Sequence, residues 1–109
     1  IVSKNLNEEP VILENLKIEV LNNTDYEGLA EEVARIVANL GMAVLSTGND
    51  SEKVEICKIY TAKTLAKSYT VTRLQNYFNC EISFALRPGS RTDISLLLGE
   101  KIKKEYKTK

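Results

Sequence analysis

The chain has 109 residues, 43% hydrophobic and 28% charged, with fifteen Lys and Arg balanced by fifteen Asp and Glu. That length suits a single hydrophobic core, and that composition excludes intrinsic disorder. A net charge of zero gives no electrostatic reason to expect nucleic acid or an anionic membrane as partner. The absence of His excludes the usual Ser-His-Asp and Cys-His nucleophile pairs and the commonest transition-metal ligand.

The charge is not evenly spread. Residues 1–60 hold eleven acids and five bases, whereas residues 61–109 hold ten bases and four acids, five of those bases in the closing stretch EKIKKEYKTK. Residues 100–109 therefore read as a solvated basic tail. No apolar run approaches the roughly 18 residues that span a bilayer. A chain that starts at Ile1, without an initiator Met, reads as a piece of a longer protein, so its own lack of a targeting segment says little about where that protein resides.

In chain order, residues 1–14 contain Pro10 in an Asn/Glu-rich setting and read as a linker or N-terminal arm, although Val11, Ile12 and Leu13 could dock on the domain. LKIEVL (16–21) alternates, with Leu16, Ile18 and Val20 on one face, and predicts a half-buried strand. Asn22-Asn23-Thr24 breaks it. Thr24 and Glu27 have the spacing of a capping box, which predicts a helix from Thr24. Leu29, Val33, Ile36, Val37 and Leu40 follow at helical period, and Gly41 stands where a left-handed C-cap belongs. MAVLST (42–47) predicts a second strand and VEICKIY (54–60) a third. Residues 63–78 read as a second helix by length, with Leu65, Ala66, Tyr69, Leu74, Tyr77 and Phe78 able to share one face, although Tyr69-Thr70-Val71-Thr72 has strand-like composition. CEISFAL (80–86) predicts a fourth strand with Ile82, Phe84 and Leu86 inward. DISLLL (93–98) is continuously apolar after its Asp and suits a strand in the sheet interior, beside the first.

The order β-α-β-β-α-β-β implies an α+β fold of ferredoxin-like type, a single sheet with two helices packed on one face over residues 15–99.

Few residues invite chemistry. Cys57 and Cys80 are 23 positions apart with no third thiol, which argues against a Zn site; they are either two buried small hydrophobes or a cross-sheet disulfide. No phosphate-binding glycine motif occurs, and no cofactor or metal is expected. Arg87 and Arg91 flank the Pro88-Gly89 turn and could contact an anion. The junction Asn22, Asn23, Thr24, Asp25, Tyr26 and Gly28 places a strand end beside a helix start, where free N–H groups can receive a ligand. Gly28 falls inside the predicted first helical turn, where glycine is unfavourable, so it reads as packing on the sheet or as permitting close approach of another group.

LNNTDYEGLAEEVARIVANLGMAVLSTGN resembles the opening of the LytR C-terminal domain family. There a strand ends in Leu-Asn-Gly-Ser/Thr, three variable residues precede Gly-Leu-Ala, and a helix leads to Gly and a short strand. Leu21, Asn22, Thr24, Gly28, Leu29, Ala30 and Gly41 fall at matching places, and Asp93, Leu98 and Gly99 are similar to the family's closing Asp-aliphatic-Leu-Gly. Asn23 stands for the family's Gly, and Tyr26-Glu27 for an apolar-Pro pair.

The resemblance implies a non-catalytic accessory domain of LytR-CpsA-Psr type proteins, extracytoplasmic in the cell envelope and carried by a membrane-anchored parent. It further implies contact with a cell-wall glycopolymer, an envelope protein or the parent's catalytic domain. The transcriptional labels attached to such proteins have no counterpart here, since no helix-turn-helix or basic recognition helix is visible. Two other readings compete. A ferredoxin-like small-molecule-binding regulatory domain would use Thr24, Asp25 and Gly28 at the first helix. An RNA-binding module would need aromatics on the central strands, where only Tyr60 is available, so no nucleic-acid partner is expected.

Overall fold

The computed structural model describes residues 9–49, 54–85 and 91–100. Its elements are α1 (Glu9–Glu14), β1 (Lys17–Asn22), α2 (Leu29–Asn39), β2 (Ala43–Asn49), β3 (Lys58–Thr61), a single 3₁₀ turn (Lys63–Leu65), α3 (Tyr69–Phe78), β4 (Glu81–Ser83) and β5 (Ile94–Leu98). The five strands form one sheet in the order β2-β1-β5-β3-β4.

The fold is α+β with one sheet, but its strand order is not the ferredoxin-like one. In each β-α-β unit the two strands are direct parallel neighbours, β1 with β2 and β3 with β4. The last strand then joins the units, parallel to β1 and antiparallel to β3. The reason lies in composition. All five residues of β5 are buried, Ser95 among them, and a strand buried on both faces belongs in the interior of a sheet. The expected pairing of first and last strands is therefore present, with Ile18 opposite Ile94 and Val20 opposite Leu96.

One face of the sheet carries the core. Ile18, Val20, Ile59, Ile94, Leu96 and Leu98 project from the strands against Val33 and Val37 of α2, Val71, Leu74 and Phe78 of α3, and Val11 of α1. Burying a large aliphatic side chain contributes about 1.5–3 kcal/mol, so this layer is the main source of stability. On the β2 edge the register slips between Ile18 and Glu19, leaving Leu45 as the extra residue of a bulge; it is exposed accordingly. Asp93 closes the opposite side of β1. Its carboxylate accepts the Lys17 N–H at 2.9 Å while its own N–H reaches the Lys17 carbonyl at 2.9 Å, so β5 is locked to β1 before the ladder begins.

Several local expectations change. The stretch read as an arm folds over Glu9–Glu14 into α1, with Val11 in the core and Asn15 ending it at φ 50°. The first long helix starts at Leu29, not Thr24, so no capping box forms; Gly28 is its N-cap and no side chain caps it. Its C-terminus follows the pattern. Gly41 (φ 94°) donates to Ala38 and Met42 to Val37, the paired bonds of a Schellman end. Phe84, expected inward, is exposed beyond the three-residue β4. Leu86 lies outside the described residues.

Cys57 and Cys80 form a disulfide with a Cα–Cα distance of 4.8 Å. Both are buried. They precede the paired strands β3 and β4, so the parallel register that aligns Lys58 with Glu81 also brings the two cysteines together. Of the two readings, the disulfide is the one present: residues that immediately precede two directly paired strands in register are carried within reach of each other.

Candidate functional site

The junction after β1 is organised by Asn22. Its Oδ1 accepts from the Thr24 N–H at 2.9 Å and from the Thr24 hydroxyl at 2.6 Å, and its Nδ2 donates to the Tyr26 carbonyl at 2.7 Å. Thr24 Oγ1 in turn accepts the Tyr26 N–H at 3.1 Å. Short polar side chains here satisfy backbone groups that the turn would otherwise leave open. Asn22 and Asn23 are buried, Thr24 and Tyr26 half-buried, and Asp25 and Gly28 exposed. The Tyr26 N–H in this junction is thus used internally.

Gly28 neither packs on the sheet nor admits a close neighbour. A Cβ placed there would meet nothing within 4 Å; glycine is required because φ is +82°. Gly99 is the reverse case. A Cβ on it would lie 2.7 Å from the Glu55 carbonyl oxygen, and the next residue, Glu100, donates to the Val54 carbonyl at 3.1 Å. Close backbone approach thus occurs at the end of β5. Arg91 is exposed, and Arg87 lies outside the described residues.

The start of α3 is satisfied at every N–H of its first turn. The Ser68 hydroxyl accepts from Val71 at 3.1 Å, and the Ser68 carbonyl accepts from Thr72 at 3.0 Å. The remaining two N–H groups belong to Tyr69 and Thr70, and both donate to the Glu14 carboxylate of α1, at 2.7 and 2.8 Å; the Thr70 hydroxyl adds a third bond at 2.6 Å. Desolvation, the largest single influence on Glu14, pushes its pKa up. The bonds from the Thr70 hydroxyl and the two N–H groups together prevail and hold it below 4.5. Sequence reading could not find this partner, because 55 positions separate it from the helix it caps.

The outward face of α3 is the other feature that sequence reading missed. Tyr69 and Tyr77 were grouped on one face with Leu74 and Phe78, yet they are 64% and 53% exposed. The buried face is Thr70, Val71, Leu74 and Phe78. Taking Val71, Leu74 and Phe78 (i, i+3, i+7) as the apolar stripe would have put both tyrosines on the solvent side. Together with Lys67, Thr72, Arg73 and Asn76 they form an open, shallow face along the outside of the helix. The Tyr77 ring meets the ring of Phe78 edge-on at a centroid distance of 4.8 Å.

Among the described residues there is no group of three or more His, Cys, Asp or Glu placed to hold a metal. Nor is any helix long and apolar enough to cross a membrane.

The family model described as "LytR cell envelope-related transcriptional attenuator" matches residues 15–101. The chain belongs to this family. It is thus a LytR C-terminal-type domain, an accessory domain of cell-envelope proteins. The solution structure of the C-terminal domain of RV0431 is similar in fold, with a TM-score of 0.53 and 18% identity over 77% of this chain and 71% of that one. No curated protein matches the chain in sequence. The motif positions of the LytR C-terminal family now have physical roles. Asn22 and Thr24 build the turn, Gly28 and Gly41 supply positive φ, Leu29, Ala30 and Leu98 fill the core, Asp93 clasps β1, and Gly99 admits another backbone. This motif specifies a scaffold.

Proposed function

We propose that the chain is a non-catalytic, extracytoplasmic accessory domain that connects a membrane-anchored parent protein to a cell-wall glycopolymer, with an envelope protein or the parent's own catalytic domain as the further candidates. Family membership supports the envelope setting. The observation that carries the extracytoplasmic part is independent of it: a buried Cys57–Cys80 disulfide belongs to an oxidising compartment. The non-catalytic part rests on the absence of His from the sequence and on the family's accessory character.

The small-molecule alternative is less favoured. It needs Thr24, Asp25 and Gly28 as a receptor at the start of α2, but Thr24 is engaged with Asn22 and Tyr26 and Gly28 serves backbone geometry. If the junction Asn22–Gly28 contacts a ligand at all, it does so through the exposed Asp25–Gly28 side.

Co-sedimentation of the oxidised domain with purified peptidoglycan sacculi carrying their attached glycopolymers tests the proposal. Saturable sedimentation that is lost after the glycopolymer is stripped is the expected result. Failure to sediment with either preparation, or cysteines in intact cells that react with a maleimide without prior reduction, would overturn it.

A further inference from the structure

The segment before the first strand is held differently from everything after it. From Lys17 onward the chain is fixed by the sheet: Asp93 clasps the Lys17 backbone at both its N–H and its carbonyl, and the β1–β5 ladder follows. α1 takes no part in that ladder. Asn15, at φ 50°, turns the chain between the two, and its Oδ1 accepts from the Lys17 ammonium at 3.0 Å. The match to the family model begins at this same residue, so α1 lies in front of the part of the chain that the model covers.

Two attachments hold α1. Val11 is buried in the core, whereas Ile12 and Leu13 are exposed. Glu14 accepts from the Tyr69 and Thr70 N–H groups and the Thr70 hydroxyl of α3. A helix of six residues is too short to persist by itself, so its form depends on these attachments. One of them can be switched off by a proton. A neutral carboxyl gives up charge-assisted bonds and the favourable place of an anion at a helix N-terminus. α3 itself survives the loss, because the Ser68 hydroxyl and carbonyl keep the Val71 and Thr72 N–H groups and water can take the other two.

The surroundings leave Glu14 as the group that titrates in acid. α3 carries Tyr69, Arg73 and Tyr77 and no carboxylate; Lys67 precedes it, Lys17 follows the hinge, and the other acid of α1 is Glu9 at its first residue. Burial opposes the Glu14 charge, but the bonds from the Thr70 hydroxyl and the two N–H groups outweigh it and hold its pKa below 4.5. The docked contact is therefore strongest above 4.5 and fades as pH falls through the docked value.

We propose that α1 is an acid-released strap: the Glu14 carboxylate latches it to α3, and neutralising that carboxylate frees it from a sheet that stays folded. Docked, residues 9–14 span about 9 Å as helix; released and extended, they reach about 20 Å. Acid thus lengthens the tether between the domain and the chain that precedes it. This inference is independent of the wall-polymer reading.

An NMR titration of the oxidised 109-residue chain from neutrality into acid tests it. The signals to follow are the Cα shifts of Val11–Glu14, the Glu14 carboxyl carbon, the Tyr69 and Thr70 amides, and the amides of Val20 and Leu96 in the sheet. The expected result is loss of the helical shifts of α1 at the midpoint of the Glu14 carboxyl. The Tyr69 and Thr70 amides should move at that same midpoint, while Val20 and Leu96 keep their native positions. Glu14→Ala should show the released α1 beside a native sheet already at neutrality. Loss of α1 and sheet in a single transition, or a Glu14→Ala chain that does not fold, would show that α1 is inseparable from the domain and overturn the strap. Helical shifts that persist after the carboxyl has titrated, or in Glu14→Ala at neutrality, would overturn the latch.

Discussion

Replacing Glu14 probes a link that joins the first described helix to the third. The carboxylate accepts three hydrogen bonds, two from N–H groups at the start of α3 and one from the Thr70 hydroxyl, itself buried. Loss of an N-cap acceptor costs about 1 kcal/mol. The second N–H and the hydroxyl lose a charged partner as well, but Glu14 is partly open to water, so their bonds count for less than the ~1.5–3 kcal/mol of a buried charged bond. Glu14→Ala should therefore destabilise by about 2 kcal/mol, and at about 5 °C per kcal/mol for a domain of this size the melting temperature should fall by about 10 °C.

The effect should depend on pH with a definite sign. Because the folded pKa lies below 4.5, the carboxylate contributes stability that is fully present above that value. The contribution is lost as pH falls from 4.5 through the folded pKa. Thermal unfolding followed by circular dichroism of wild type and Glu14→Gln should show a gap that is constant near neutrality and narrows as acid protonates the folded carboxylate. A gap that stays unchanged down to the acid-unfolding limit would refute the electrostatic reasoning. An alanine variant melting within about 2 °C of wild type would refute the cap itself.

Three further substitutions test the scaffold. Cys57→Ala with Cys80→Ala, or reduction of the native pair, should cost about 3 kcal/mol in denaturant unfolding for a sequence separation of 23; no measurable loss would show that the strands hold their register without the bond. Gly99→Ala should cost about 2 kcal/mol, because the new methyl meets backbone at 2.7 Å; wild-type stability would show that the 54–56 segment yields freely. Leu96→Ala, at a fully buried position in the central strand, should cost about 3 kcal/mol by chemical denaturation, and a loss under 1 kcal/mol would contradict the central placement of β5.

What the sequence made legible follows the range of the forces involved. Periodicity located β1, α2 and β5, because which face is buried is written locally in Ile18 and Val20, in Val33 and Val37, and in the unbroken run Ile94–Leu98. Gly41 was readable for the same reason, a positive φ being a property of one residue and its helix. Strand order was only half legible. The apolar run pointed to the interior and to β1 as neighbour, but whether each β-α-β unit keeps its strands adjacent depends on contacts far apart in sequence. Glu14 was invisible because an acid in an Asn/Glu-rich stretch has no local mark of a partner at residues 69 and 70. The turn at Asn22–Tyr26 was located correctly, but Thr24 was given a helix to cap that begins five residues later. The hydroxyl instead serves the turn, a competing use that Ser and Thr commonly find near backbone N–H groups.

The distribution of duties bears on where specificity resides. Asn22, Thr24, Gly28, Gly41, Asp93 and Gly99 are committed in this chain to turns, positive φ and backbone contacts. Residues so committed are poor places to encode a ligand, since changing one alters the fold first. The outward face of α3 has the opposite property. Its tyrosines lie outside the buried core, and the helix beneath them is held at both ends, by Glu14 on the Tyr69 and Thr70 N–H groups and by the disulfide at Cys80, two residues past Phe78. A helix of ten residues would be marginal alone. Clamped in this way it can carry exposed side chains in a fixed spacing.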